Sequence, residues 1–545
     1  MAALLTVGLL QMQLPSLSTI KDAESLIDLH ERLLFLRAYP PNARTLKHVE
    51  TQLKKIEQRV AALQKVDADL SPLDYPEVSG ITGTSVTSNF SYALVRWLAR
   101  KYPRQVSIDW DWFEEDDRFG ATMPRFLPLL DEDAMVEAHV PYREWLAAAK
   151  GRKNEVVWII EQFESLSLAD KQKAELYDSL KLHITWQFGA RSSRTQMKLP
   201  VRKIFFHDQP LIKRRDVSLA GEMNSRSLPV ERVSISEGER ILDLARETSA
   251  VRYRELHGFT CGDSKRVLKA ELSRGVQAFV TGVRPEHRLP LRAYHAALIF
   301  KNGVVVAYFE GLSLGERMES GFNLYYTFRD GETAWLYARI LHLMRQLLGV
   351  TVISIDPYQV GHQNEEGIES GAFWFYRKLG FRPVKPELRK LTLAEEKKMA
   401  TSREHRSSAG TLRRLAAGHM IFELSPEKTR GEWDQFTARK LGLAVQRKMA
   451  RDFGSDPKAI RAASTALVTR ALSIKPGAWS EAEKAALANL ALPIAVIPDL
   501  HRWDDSQKQL AVQIIRAKAG NDEARCLKLM QKHAALRRAL IRLGS

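Results

Sequence analysis

Only two cysteines stand in 545 residues, Cys261 and Cys526, far apart and without a CxxC spacing. That excludes a disulfide scaffold and every cysteine-rich zinc or iron–sulfur motif, and it fits a reducing compartment. No run approaches the ~18 consecutive apolar residues of a membrane helix. Even the apolar start, Ala2 to Leu10, is short and lacks a basic n-region and a small-residue cleavage site, which predicts a cytoplasmic protein with no membrane partner. The histidines form no HExxH or His–Cys spacing, so no metal is expected. A GxxxxGK[ST] phosphate loop and a GxSxG nucleophile elbow are both missing, which argues against a nucleotide hydrolase or a serine esterase. Thirty glycines and 22 prolines are ordinary proportions at this length, which removes collagen-like and low-complexity classes.

What is present is a composition 45% hydrophobic and 27% charged, enough for several cores and three or four domains. Lys plus Arg number 82 against 65 Asp plus Glu, a net charge of +17 that favours anionic partners: nucleic acid, an acidic protein or a phosphate-bearing cofactor.

Apolar residues recur every three or four positions from Ile20 to Leu63, broken at Tyr39-Pro40-Pro41-Asn42, which predicts a helical hairpin in residues 1–75. Residues 76–225 read as mainly helical, with a long amphipathic run from Glu155 to Leu182. The tryptophans of the segment Trp110 to Glu115 read as core packing. The basic segment Ser192 to Arg215 surrounds one predicted strand, Lys203 to Phe206. It is either a phosphate-binding strip or, because its seven charges show no phase, a solvated linker.

From 226 to 427 the pattern changes. Helices over Glu237 to Leu256 and Ser264 to Leu272 precede strands Tyr294 to Phe300 and Val304 to Phe309. Lys301-Asn302-Gly303 joins these two, a hairpin signal because a type I′ turn needs positive φ at both central residues. A strand Phe322 to Phe328, a helix Gly331 to Leu348, a strand Val350 to Ile355, a helix ending at Leu379, and strands Phe381 to Val384 and His419 to Leu424 follow. Residues 428–545 read as a basic helical domain. Positions 426–545 hold 22 Lys plus Arg against 12 Asp plus Glu, a net +10, and a final helix, Asp522 to Leu543, exposes Arg525, Lys528, Lys532, Arg537, Arg538 and Arg542 as a nucleic-acid grip or a solvated face.

The most specific stretch is Gly371-Ala372-Phe373-Trp374-Phe375-Tyr376-Arg377-Lys378-Leu379-Gly380-Phe381. Gly380 fits a left-handed helix C-cap before a strand. With the order of elements before it, the stretch resembles the second conserved block of the GCN5-related N-acetyltransferase (GNAT) superfamily, over about a third of the chain. The resemblance implies a multidomain fold: a central α/β, GNAT-like mixed sheet with helices on both faces, between mainly α-helical N- and C-terminal regions. It also implies acetyl-CoA or another acyl-CoA as co-substrate, its pyrophosphate held by backbone amides over Phe328, Arg329, Gly331, Glu332, Thr333 and Ala334, where a helix start offers unpaired N–H groups. Arg329 and Gly331 stand one residue closer than in the family loop, and Asp330 and Glu332 oppose phosphates unless they point away.

Direct amine acylation needs a base, donors for the thioester carbonyl and an acid for the leaving thiolate. Tyr376 stands where the resemblance implies the general acid; as a helix residue it reads equally as core. Candidate bases are Glu310, at the end of a hairpin strand, and Glu365, Glu366 or Glu369. The polar loop 356–364, with Tyr358, His362 and Asn364, follows a strand carboxyl end, where α/β sheets place ligands. The expected function is transfer of an acyl group, acetyl above all, to an amine. The alternative is a non-catalytic GNAT-like scaffold whose basic helical regions bind nucleic acid or a protein partner. The enzyme reading requires the amides at the start of the 331–348 helix to face an open slot, with the phenol of Tyr376 at its far end.

Overall fold

The computed structural model describes residues 15–189, 192–402, 404–424 and 427–545, and the apolar start Ala2 to Leu10 lies outside them. Helix α1 (Ala23–Ala38) begins at Asp22, whose carboxylate accepts the amide of Ser25 at 2.7 Å and so satisfies one of the unpaired N–H groups of the first turn. Its apolar row Leu26, Leu29, Leu33 and Leu36 is fully buried. The predicted hairpin is there, but it has no core of its own: α1 and the helices after it share one continuous core with the large central sheet.

A second core lies within residues 86–251. Helices there enclose a three-stranded antiparallel sheet of β1 (Ser85–Ser88), β2 (Val106–Ile108) and β3 (Ile184–Gln187), in the order β1-β3-β2. The sequence reading found no strand here, because three or four residues are too few to display alternation. The run Glu155 to Leu182 is two helices, Glu155–Ser165 and Asp170–Ser179. Trp110 packs edge-on against Phe113 and Phe119 as expected, whereas Trp112 is 68% exposed.

The central region runs β4 (Val230–Arg232), α2 (Ile235–Ala250), α3 (His257–Thr260), β5 (Leu268–Ser273), β6 (Val276–Gly282), β7 (Ala293–Lys301), β8 (Val304–Leu314), β9 (Arg317–Leu324), α4 (Thr333–Leu348), β10 (Val352–Ile355), α5 (Glu365–Glu369), α6 (Ala372–Lys378), β11 (Arg382–Pro383) and β12 (Met420–Glu423). These strands form one nine-stranded mixed sheet in the order β11-β12-β10-β9-β8-β7-β6-β5-β4. Two expectations fail. Ser264 to Leu272 is mostly the strand β5, in which buried Ala270 and Leu272 alternate with outward Lys269, Glu271 and Ser273. The third strand lies at Arg317–Leu324 rather than 322–328. The β7–β8 turn is as expected: Asn302 and Gly303 have φ of 48° and 81°.

Register assigns the faces. Ala296, Glu310 and Gly321 form one row across β7, β8 and β9, so their strand neighbours point the other way. On this face lies α3, where a Cβ at Gly258 would stand 2.6 Å from that of Ala296. Helix α4 covers the opposite face, its Tyr337 hydroxyl 3.0 Å from Ser320 Oγ and its ring 5.0 Å from that of Phe322. Among the described residues, strands β9 and β10 are the one parallel pair. They pair only over Arg317–Glu319 and Val352–Ser354, after which β9 continues to Leu324 without β10.

A third core holds the C-terminal helices, among them α7 (Ala438–Phe453), α8 (Pro457–Ala471) and α9 (Glu523–Lys532), and closes on Leu314, Val352 and Ile421 of the sheet. The predicted last helix is two, parted at His533, whose ring Nδ1 accepts the amide of Leu536. Among the described residues no helix is long and apolar enough to cross a membrane.

Candidate functional site

The start of α4 is closed. Tyr39, just beyond α1, is fully buried, and a Cβ on Gly331 would lie 2.6 Å from its hydroxyl. Glu332 is turned inward, with a fully buried side chain. Its carboxylate takes hydrogen bonds from Arg274 (2.6 Å), the Ile212 amide (3.2 Å) and Lys301 (3.3 Å). Burial pushes the Glu332 carboxyl up, but the Lys301 charge and the Arg274 hydrogen bond outweigh it and hold the group below its usual range. Lys301 sits 4.8 Å above the Tyr39 ring, its pKa drawn down by burial. The sequence reading placed Glu332 beside a bound phosphate; it is a structural anion inside the core. Phe328 and Ala334 are buried as well, and only Arg329 of the six expected phosphate contacts is exposed, its guanidinium paired with Glu366. On its side-chain side Gly331 is filled by the Tyr39 hydroxyl and the Phe328 carbonyl.

Beside this closure runs the basic segment read as either a phosphate-binding strip or a solvated linker, its Ile212 amide bound to Glu332. Ser192, Ser193, Arg194 and Thr195 are buried. Arg194 grips Glu31 of α1, the Ser79 carbonyl (3.0 Å) and Thr327 (3.2 Å), and His30 Nε2 lies 2.9 Å from Thr195 Oγ1. The chain then crosses the β7–β8 turn, where the Gly303 carbonyl accepts the Leu199 amide at 2.8 Å and Asn302 Oδ1 accepts that of Phe205 at 2.8 Å. Residues 203–206 make no strand. Four of its charges answer separate partners: Arg194 meets Glu31, Lys198 meets Glu50, Arg214 the Lys378 carbonyl and Arg215 Asp216.

Glu310 stands in a polar cluster on the face opposite α4. It accepts a hydrogen bond from the Tyr294 hydroxyl, and the Tyr294 ring lies 5.3 Å from that of His257. Burial pushes the Glu310 carboxyl up, against the Tyr294 hydrogen bond and the charge of His257. Two residues along β8, the Tyr308 hydroxyl receives Arg254 (3.4 Å) and faces Asn323 (3.3 Å), while Arg254 reaches Glu366 at 3.8 Å. A half-buried carboxyl whose pKa burial raises, set beside a phenol, is suited to taking a proton. Sequence reasoning reached Glu310 but missed Tyr294, Tyr308, Arg254 and His257. They come from β7, β8, the α2–α3 link and the start of α3, and only the fold joins them.

The other candidates do not converge on Glu310. Tyr376 packs edge-on against Tyr337 (5.8 Å) and Phe381 (5.5 Å), and burial pushes its phenol up. Tyr337 belongs to the Ser320 and Phe322 face, so Tyr376 and Glu310 lie on opposite sides of the sheet. Glu369, Tyr358 and His362 are exposed, Glu365 is bound by Arg413 at 2.8 and 3.0 Å, and Asn364 holds the loop by donating to the Tyr358 carbonyl. Gly380, with φ 101°, makes the left-handed turn read from the sequence.

Two hollows lie elsewhere. A groove of about 910 Å³ runs between α7 and α8, rimmed by Lys448, Arg451, Arg470 and His501, with no carboxylate in its lining. A cavity of about 520 Å³ separates α9 from the sheet. No family model, no curated protein and no solved structure matches the chain.

Proposed function

We propose that the chain keeps a GNAT-like architecture without the acyl-CoA grip and works as a binding protein, its basic C-terminal helices docking nucleic acid. The observation that carries the first half is the Tyr39 hydroxyl seated against Gly331 with Glu332 engaged by Lys301 and Arg274. The second half rests on the groove between α7 and α8, which presents cations of one sign over a floor of Ala444, Ala463 and Leu467. Arg470 has no ion-pair partner among the described residues, and Lys448 and Arg451 share the single carboxylate of Asp452. Such a surplus attracts a polyanion and releases its counterions.

A second reading is the N-acyltransferase with an amine acceptor. The Tyr294–Glu310 pair favours it, as does the parting of β9 from β10 beyond Glu319, which leaves an edge beside the row of Glu310. Titration of the purified chain with acetyl-CoA by calorimetry separates the two. Absence of heat at high micromolar ligand agrees with the binding protein, whereas saturable binding overturns it in favour of the enzyme. Retention on duplex DNA that falls steeply with salt completes the case; retention indifferent to salt, or none, removes the nucleic-acid partner.

A further inference from the structure

The cavity of about 520 Å³ lies where α9 crosses the sheet, between Leu268 of β5, Val280 of β6 and the end of α4 at Leu348. Six cationic side chains line it against three acidic ones. The acids are already engaged. Asp263 pairs with Arg266, Asp522 accepts the amide of Ala524 at the start of α9, and Glu523 pairs with Lys518. Arg288 is held by the carbonyls of Lys518 and Asn521. Four cations are left: Arg232, Arg525, Lys528 and Lys532. No hydrogen bond or ion pair joins them to any other described residue. Arg525, Lys528 and Lys532 recur at the spacing that puts them on one face of α9. Four unpartnered cations around one concavity repel each other unless an anion sits among them.

Two further observations point inward. His295 Nδ1 is buried without a hydrogen-bond partner. Glu523 Oε2 also makes no hydrogen bond, and Arg288 Nε lies 4.0 Å from it. Buried polar atoms are ordinarily satisfied, and both residues belong to the lining. The volume is that of a small-molecule site rather than a macromolecular groove, and Leu268, Val280 and Leu529 give it an apolar wall. We propose that this cavity binds a small organic phosphate of mononucleotide size. Its phosphates lie among Arg232, Arg525, Lys528 and Lys532, and its body, carrying a hydrogen-bond donor, lies toward His295 and Glu523. The site is separate from both the closed start of α4 and the groove between α7 and α8, and it stands or falls without either.

The test is calorimetry of the full chain with ADP, with inorganic pyrophosphate and with adenosine. It is repeated on the double variant Lys528→Ala/Lys532→Ala, whose two side chains are exposed and unpartnered, so that its melting curve serves as the folding control. ADP is expected to bind saturably at one site, at least tenfold more tightly than adenosine, with at least a tenfold loss in the double variant. An Arg470→Ala variant in the α7–α8 groove is expected to bind ADP as the parent does. No saturable heat with ADP at millimolar concentration, equal binding by the double variant, or pyrophosphate binding as tightly as ADP would each overturn the assignment.

Discussion

The hydroxyl of Tyr39 and the α-carbon of Gly331, nearly 300 positions apart in the chain, are packed so closely that a methyl group at 331 would stand 2.6 Å from that oxygen and 2.8 Å from the ring carbon bearing it. Gly331→Ala is therefore expected to destabilise the fold by about 1–3 kcal/mol, the cost of overpacking a filled core. Tyr39→Phe, which removes the oxygen, should recover part of that loss. Urea unfolding of the two single variants and the double variant measures the coupling, and strictly additive effects would mean that the contact is not made.

Removing the Glu332 charge leaves Lys301 and Arg274 without their shared anion. Glu332→Gln is expected to cost about 3–5 kcal/mol, since a buried cation loses its partner. Combining it with Lys301→Met should cost less than the two losses together. Equilibrium unfolding gives the comparison, and a Glu332→Gln variant as stable as the parent would contradict the buried triad.

His207 is buried against the rings of Tyr39 and Phe205, with neither ring nitrogen hydrogen-bonded. Burial first, then the charge of Lys301, brings its pKa down to about 4. The unfolded chain therefore binds the proton more readily between about pH 6.5 and pH 4, so stability falls as pH drops through that window and flattens below it. His207→Phe should shallow the slope, removing on the order of 2 kcal/mol of acid sensitivity. Urea midpoints at pH 7, 5.5 and 4 would show it; parallel profiles for parent and variant would remove His207 as the cause.

If acylation is detected with any amine, Glu310 is the residue to test. Glu310→Gln should lower kcat by about 10²–10⁴ with little change in KM, because a base acts in the transition state. The parent's rate should rise with pH around a midpoint above the usual carboxylate range. Turnover that survives the substitution would move the base elsewhere.

DNA retention by the α7–α8 groove has its own check. Replacing Arg470 with Ala should weaken binding to unrelated sequences alike and reduce the dependence of log affinity on log salt by about one phosphate contact. An unchanged salt slope would place the contact on another face.

What could be read in advance follows the range of the signals. Asn302-Gly303 and Gly380 declare themselves locally through the φ values they alone tolerate, and both turns are found. The α4 and β7–β8 runs are long enough for their periods to show. The strands β1, β2 and β3, of three or four residues each, are not. Residues 264–272 misled because a short strand with polar alternate positions satisfies a loose helical spacing. The site fared worse, since its meaning depends on which face each strand turns. Glu310 is legible as a carboxylate at a strand end, but only the pairing of Gly321 with Glu310 and of Glu310 with Ala296 puts Tyr376 on the other side. The closure by Tyr39 has no signature in either segment alone.

The crossing of residues 199–207 over the β7–β8 turn has a practical consequence. Asn302 donates to the carbonyls of Ala38 and Phe205, while a side chain at Gly303 would collide with the Leu199 carbonyl, so three distant stretches are latched at one corner. An expression fragment beginning at residue 226 would strip the cover from Lys301 and leave that ammonium facing solvent beside bare aromatic and aliphatic surface. Such a fragment should be recovered as aggregate, and protease nicking within 199–207 should release the N-terminal helices only after the whole sheet has melted.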